Sequence, residues 1–198
     1  MLKSKVVLLG NSTVGKTSIL NQFKLEKFNN CIDSTIGCEF FAKSVFCDEK
    51  EIKLLLWDTA GQEVFHSFTQ NFLRGARLVL IIFDVSNYAS FLSLEHWLNE
   101  TKKTSSKMNI VIVGNKNDLR SEISDEDMKT FIQTYQEKYN FDYYGTITAK
   151  KNENVNELFH FIGEKLIKNI ECFDEEINYN LNVVNLDDPL QNSNYCCT

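Results

Sequence analysis

The chain has 198 residues, 43% of them hydrophobic and 24% charged, enough for one domain with a sizeable core plus an extension. No apolar run nears the ~20 residues of a membrane span, Met1–Lys5 lead straight into the first expected strand with no signal-peptide pattern, and the cysteines at 31, 38, 47, 172, 196 and 197 show no metal-ligand spacing before the terminus, so reduced thiols are expected. The net charge of −6 lies entirely in the final stretch, because residues 171–198 hold six acids and no Lys, Arg or His.

In chain order, Val6-Val7-Leu8-Leu9 reads as a buried strand within residues 4–9 and runs into Gly10-Asn11-Ser12-Thr13-Val14-Gly15-Lys16-Thr17, which matches G-x-x-x-x-G-K-[ST]. Ser18 to Phe23 then continues as a helix expected over 16–26, so the strand–loop–helix context of that motif is present. Gly10 and Gly15 let the backbone curl until successive N–H groups face phosphate oxygens. The helix N-terminus adds to that field. Lys16 is expected on β- and γ-phosphates as a catalytic charge, and the Thr17 hydroxyl on Mg²⁺.

Residues 38–47 and 51–57 flank Asp48-Glu49-Lys50 and read as a hairpin, giving one antiparallel edge strand. Trp57-Asp58-Thr59-Ala60-Gly61-Gln62-Glu63 closes its second strand. Asp58 and, from the loop before the hairpin, Thr35 are candidate Mg²⁺ contacts, the former through water. The Gly61 N–H is placed to reach a γ-phosphate, and Gln62 to orient the attacking water. No nucleophile is needed, because phosphoryl transfer is promoted by positioning and charge stabilisation.

A helix is expected near 66–74, and the apolar run within 77–84 and Ile110 to Val113 within 109–115 read as central parallel strands. Helices over 88–104 and 125–139, a strand over 141–146 and a helix over 153–170 complete an α/β alternation. The expected fold is a mostly parallel six-stranded sheet with one antiparallel edge strand and helices on both faces, binding its ligand at the carboxyl ends of the strands.

Asn115-Lys116-Asn117-Asp118 follows the fifth strand. Asp118 can accept two hydrogen bonds from guanine N1–H and its 2-amino group, a donor pair that adenine lacks. Asn115 is expected to hold the loop in register, and the Lys116 stem to cover one face of the base. Thr148-Ala149-Lys150 follows the last strand, where the Ala149 N–H can donate to guanine O6. Phe28 is a candidate for the opposite face of the base, with ordinary core packing as its alternative. The expected ligand is therefore GTP or GDP.

These residues resemble the Ras superfamily of small GTPases over roughly residues 4–170. Thr35 to Phe40, Lys53 to Trp57, Leu73-Arg74-Gly75-Ala76 and Ile82 to Ser86 look like its Rab branch. The resemblance implies a P-loop GTPase domain over 1–170, a slow switch that hydrolyses GTP and recruits effectors in vesicle traffic. It also implies an exchange factor, an activating protein and a GDP-dissociation inhibitor, and an aromatic effector surface of Phe40, Trp57 and Phe72. Core packing is the competing reading for Phe40 and Phe72.

Residues 171–198 read as an acidic, disordered tail. Its Cys196-Cys197 is similar to the paired cysteines that carry two geranylgeranyl groups, and Tyr195 stands where a C-a-a-X box would need its cysteine. The implied location is cytoplasmic, with reversible attachment to the cytosolic face of an internal membrane. A monomer is expected, and nucleic acid is not an expected partner. Ile32, Val64, Leu73 and Thr13 depart from the usual pattern of the family. Two alternatives stay open: a nucleotide-dependent binding module with vestigial hydrolysis, and a soluble GTPase switch without lipid.

Overall fold

The structure, a computed structural model, describes residues 2–25, 38–59, 66–105 and 108–184. Its strands are β1 (Leu2–Leu9), β2 (Cys38–Cys47), β3 (Lys50–Thr59), β4 (Leu78–Asp84), β5 (Asn109–Asn115) and β6 (Phe141–Thr146). Its helices are α1 (Lys16–Leu25), α2 (His66–Leu73), α3 (Tyr88–Leu92), α4 (Leu94–Thr104), α5 (Asp125–Tyr139) and α6 (Val155–Val184). The strands form one sheet in the order β2-β3-β1-β4-β5-β6. Only β2 runs antiparallel to its neighbour, with Phe40 opposite Trp57 and Cys47 opposite Lys50.

Alternation along the central strands sorts side chains into two half-cores. Val6, Leu8, Leu78, Leu80, Ile82, Val111 and Val113 point to the face covered by α1 and α6. Val7, Leu9, Val79, Ile81, Phe83, Ile110 and Ile112 point to the face covered by α3, α4 and α5. Every residue of β4 is buried, which is why the run carries no polar alternation. Each fully buried aliphatic side chain on these strands contributes about 1.5–3 kcal/mol. The successors of β1 pass to β3 on one side and β4 on the other, so the sheet reverses its winding at β1. The crevice at that reversal, beyond the carboxyl ends, is where such sheets take ligands.

Two elements differ from expectation. The helix read over 88–104 is two helices meeting at Ser93, whose N–H and hydroxyl both donate to the Ala89 carbonyl, at 3.2 and 2.9 Å. The last helix runs on to Val184, beyond residue 170. No Gly or Pro lies between Gly163 and Pro189 to stop it earlier. Among the described residues no helix is long and apolar enough to cross a membrane.

Candidate functional site: the carboxyl edge of the sheet

The turn after β1 is possible only with glycine at two positions. Gly10 has φ +141, and a Cβ there would lie 2.2 Å from the Ile82 carbonyl oxygen. Gly15 has φ +97, and its Cβ would lie 2.3 Å from Asn115 Nδ2. Both φ values fall where L side chains are strained. Thr13 also has a positive φ, of 65, unusual for a β-branched residue. Ser12 and Thr13 are exposed, whereas Val14 is buried, so the loop presents its crest outward and is rooted at its base.

Lys16 is 5% exposed and its ammonium donates to the Gly10 and Asn11 carbonyls, each at 2.8 Å. Burial pushes its pKa down to about 8, with the charge of Asp58 opposing the shift. The Thr17 hydroxyl donates to Asp58 Oδ2. Asp58 is fully buried at the end of β3. The next residue, Thr59, donates its hydroxyl to the Leu8 carbonyl at 2.7 Å and so pins β3 to β1 at the loop's root.

The loop after β5 is joined to this one by Asn115, which is 2% exposed. Its Nδ2 donates to the Val14 carbonyl at 2.9 Å, and its Oδ1 accepts the Ala149 N–H at 3.2 Å. One amide thus spans three segments far apart in sequence. The Asn117 N–H donates to the Ile147 carbonyl at 3.1 Å, a further tie between the second and third segments. Asp118 is held by the Thr148 hydroxyl, which donates to Oδ1 at 2.6 Å, and by Lys150, whose Nζ lies 3.9 Å from Oδ2. Lys116 has φ +66 and pairs with Asp84 at 2.7 Å. Asp84 in turn accepts the Ser86 N–H and hydroxyl at 2.9 and 2.7 Å.

The motif stretches Gly10–Ser18, Asp58, Asn115–Asp118 and Thr148–Lys150 therefore share one edge of the sheet. Phe28, Thr35, Gly61, Gln62, Cys196 and Cys197, together with Ile32 and Val64, lie outside the described residues. Asp84, Ser93 and Trp97 are contacts that sequence reasoning missed. Asp84 ends β4 at the same edge of the sheet, but nothing local in the sequence names its partner.

A model described as "Ras family" matches residues 5–168. The chain belongs to the Ras family.

Its relatives place it among the Rab-type GTPases, which bind and hydrolyse GTP and act in vesicle traffic. It is 39% identical over 170 residues to Ras-related protein Rab-2B of Dictyostelium discoideum, covering 84% of this chain and 82% of that one. It is 35% identical over 197 residues to Ypt/Rab-type GTPase ypt71 of Schizosaccharomyces pombe, covering 97% and 95%. Ras-related protein Rab-19 of Rattus norvegicus is 35% identical over 166 residues, covering 82% and 75%. In this Rab-type GTPase, Phe40 is 52% exposed and its ring lies 5.2 Å from that of Trp57 across the β2–β3 pair. Lys5 Nζ sits 4.8 Å over the Trp57 ring and donates to the Arg74 carbonyl at 2.9 Å. Phe72 and Trp57 are each half-buried against the core on the α3–α5 side of the sheet.

Proposed function

We propose that GTP and GDP lie along this carboxyl edge, phosphates in the 10–18 loop and guanine between the 115–118 and 148–150 loops. The observation that carries the reading is the Asn115 amide. It fixes the distance between a loop suited to phosphate and a loop whose Asp118 carboxylate suits guanine. Lys16 exchanges its bonds to the Gly10 and Asn11 carbonyls for phosphate oxygens. The Ala149 N–H, bonded to Asn115, is positioned at the guanine end together with Asp118.

Thr17 and Asp58 fit a magnesium ion, because a hydroxyl and a carboxylate already in contact are the hard oxygen donors that this cation prefers. Thr35 would join them on the strength of its motif. When bound, the ion would neutralise charge on the β- and γ-phosphate oxygens. Gln62 orients the attacking water and the Gly61 N–H meets the γ-phosphate, so the segments that hold them follow the presence of that phosphate. Family analogues turn over at about 10⁻⁴ s⁻¹ alone and roughly 10⁵-fold faster when a partner supplies an arginine. The same reading takes Phe40, Trp57 and Phe72 as the surface for effectors, and calls for an exchange factor, an activating protein and a GDP-dissociation inhibitor.

Membrane attachment is proposed through Cys196 and Cys197. The acidic stretch before them is repelled by an anionic leaflet, so two lipid chains are needed for stable anchoring to the cytosolic face. The body is assigned to residues 1–170 and the tail to 171–198, a division of task that α6 crosses. The intact mass of the chain from a eukaryotic cell tests the lipid, with Cys196→Ser/Cys197→Ser as its comparison. Single-turnover GTP hydrolysis tests the chemistry: Gln62→Leu must slow it at least tenfold, and an unchanged rate removes Gln62 from the mechanism.

A further inference from the structure

The side chain of Asn11 does work that phosphate contact does not require. Its Oδ1 accepts the indole N–H of Trp97 at 2.8 Å. Its Nδ2 donates to the Ser93 hydroxyl at 2.9 Å. An indole nitrogen can only donate, so the amide must present its oxygen to Trp97 and its nitrogen to Ser93. The Ser93 hydroxyl, having accepted there, passes its own hydrogen to the Ala89 carbonyl at 2.9 Å. The chain of bonds has one direction from end to end, and it terminates in the joint between α3 and α4.

Asn11 is well placed to transmit what happens at that joint. Gly10 before it has no side chain, and Ser12 and Thr13 after it are exposed. The Asn11 amide therefore ties the leading half of the loop to the body of the protein. Its own carbonyl is one of the two that hold Lys16. Trp97 is 7% exposed in the core under α4, and its carbonyl accepts the Thr101 hydroxyl at 2.9 Å, so this end of the tether is rigid. A rotation of the Asn11 peptide moves the Lys16 acceptor with it.

We infer that Trp97 is a positioning residue for the phosphate loop, acting through Asn11, and that the α3–α4 joint thereby sets how long nucleotide is retained. The inference rests on the assignment of residues 10–18 to phosphate. It adds a control point on the opposite side of Asn11 from the ligand, about eighty residues on in sequence.

The test is release of a fluorescent GDP analogue from the full chain, loaded with magnesium and chased with unlabelled GDP. Trp97→Phe keeps an aromatic ring and removes the donor, and is expected to speed release about tenfold, the equivalent of ~1.4 kcal/mol. Ser93→Ala is expected to act in the same direction and serves where the tryptophan variant folds poorly. In an Asn11→Ala background, Trp97→Phe is expected to add less than about twofold, because the route through Asn11 is already cut. Leu98→Val, in the same helix and fully buried, is expected to lower the melting temperature while release stays that of the wild type. Release unchanged in both Trp97→Phe and Ser93→Ala overturns the inference, as does full additivity with Asn11→Ala or equal acceleration by Leu98→Val. A wild-type chain that fails to retain GDP would instead overturn the phosphate assignment beneath it.

Discussion

Replacing Asn115 by alanine tests whether the two ends of the site are held by one amide. The substitution leaves the Val14 carbonyl and the Ala149 N–H, now bonded at 2.9 and 3.2 Å, without partners in a region where Asn115 itself is 2% exposed. An unsatisfied buried polar group costs about 1–3 kcal/mol, so the pair amounts to roughly 2–6 kcal/mol. Some of that is recovered as the loops relax apart, and about 3 kcal/mol is a reasonable share to fall on the nucleotide-bound state. At ~1.4 kcal/mol per tenfold, GDP affinity should drop about 100-fold, mostly through faster release. Asn115→Asp separates the two bonds. It can still accept from the Ala149 N–H, but it sets a carboxylate oxygen against the Val14 carbonyl, so it should be no better than alanine. Release of a fluorescent GDP analogue gives the kinetic effect, and calorimetric titration gives the affinity. Release from Asn115→Ala within about threefold of wild type would refute the reasoning.

Other substitutions address the base, the charge and the packing. Asp118→Asn replaces a paired acceptor with a donor, which suits the 2-oxo group of xanthine. Competition binding should show GDP weakened ~10–100-fold and XDP gained, and unchanged preference would remove Asp118 from base recognition. Burial lowers the Lys16 pKa to about 8 from 10.5. Phosphate oxygens favour the charged form, so binding above about pH 8 must take up a proton, and GDP affinity should be flat below that pH and fall by up to about tenfold per unit above it. The same depressed value means that the folded chain holds fewer protons at Lys16 than the unfolded chain between about 8 and 10.5, so this lysine's contribution to stability rises with pH across that window. Gly163→Ala improves helix propensity by about 1 kcal/mol, but the added Cβ would lie 2.7 Å from Cys47 Sγ. A net loss of about 1–2 kcal/mol is expected by thermal melting, with recovery when Cys47→Ala is added.

Much of this architecture is legible in the sequence because two periodicities and two loop motifs are local signals. β2, β5, β6 and α5 begin and end where the apolar pattern and the turn residues set them. The loop glycines are legible for the same reason, since the motif spacing is a record of where backbone must approach backbone. What escapes is whatever depends on a partner far along the chain. The hydroxyl of Ser93, where α3 and α4 meet, serves both Ala89 and Asn11, about eighty residues back in the chain. The stem of Lys116 is the part expected at the base, and the sequence does not say that its ammonium pairs with Asp84, 32 residues earlier. The extent of α6 was missed because acidic and Asn-rich composition reads as solvated chain, yet it contains nothing that forbids a helix. The aromatics illustrate the limit most simply. Burial of Phe40 and Phe72 was an even choice from sequence, and the edge strand leaves the first half-exposed while the second rests against the core.

The order in which the two half-cores are completed bears on how this protein is made. The face under α3, α4 and α5 draws on no residue beyond Phe141 among its buried members. The other face needs Val155, Leu158, Phe159, Ile162, Leu166 and Ile167 from α6, including the Phe159 ring that stacks on Phe23 at 3.9 Å. Synthesis proceeds at about 5–20 residues per second, so α1 and the backs of β1, β3 and β4 wait several seconds, uncovered, for their last helix. The nascent chain thus carries a wide apolar face until α6 emerges, a window in which a chaperone has more of that face to bind than after α6 has docked.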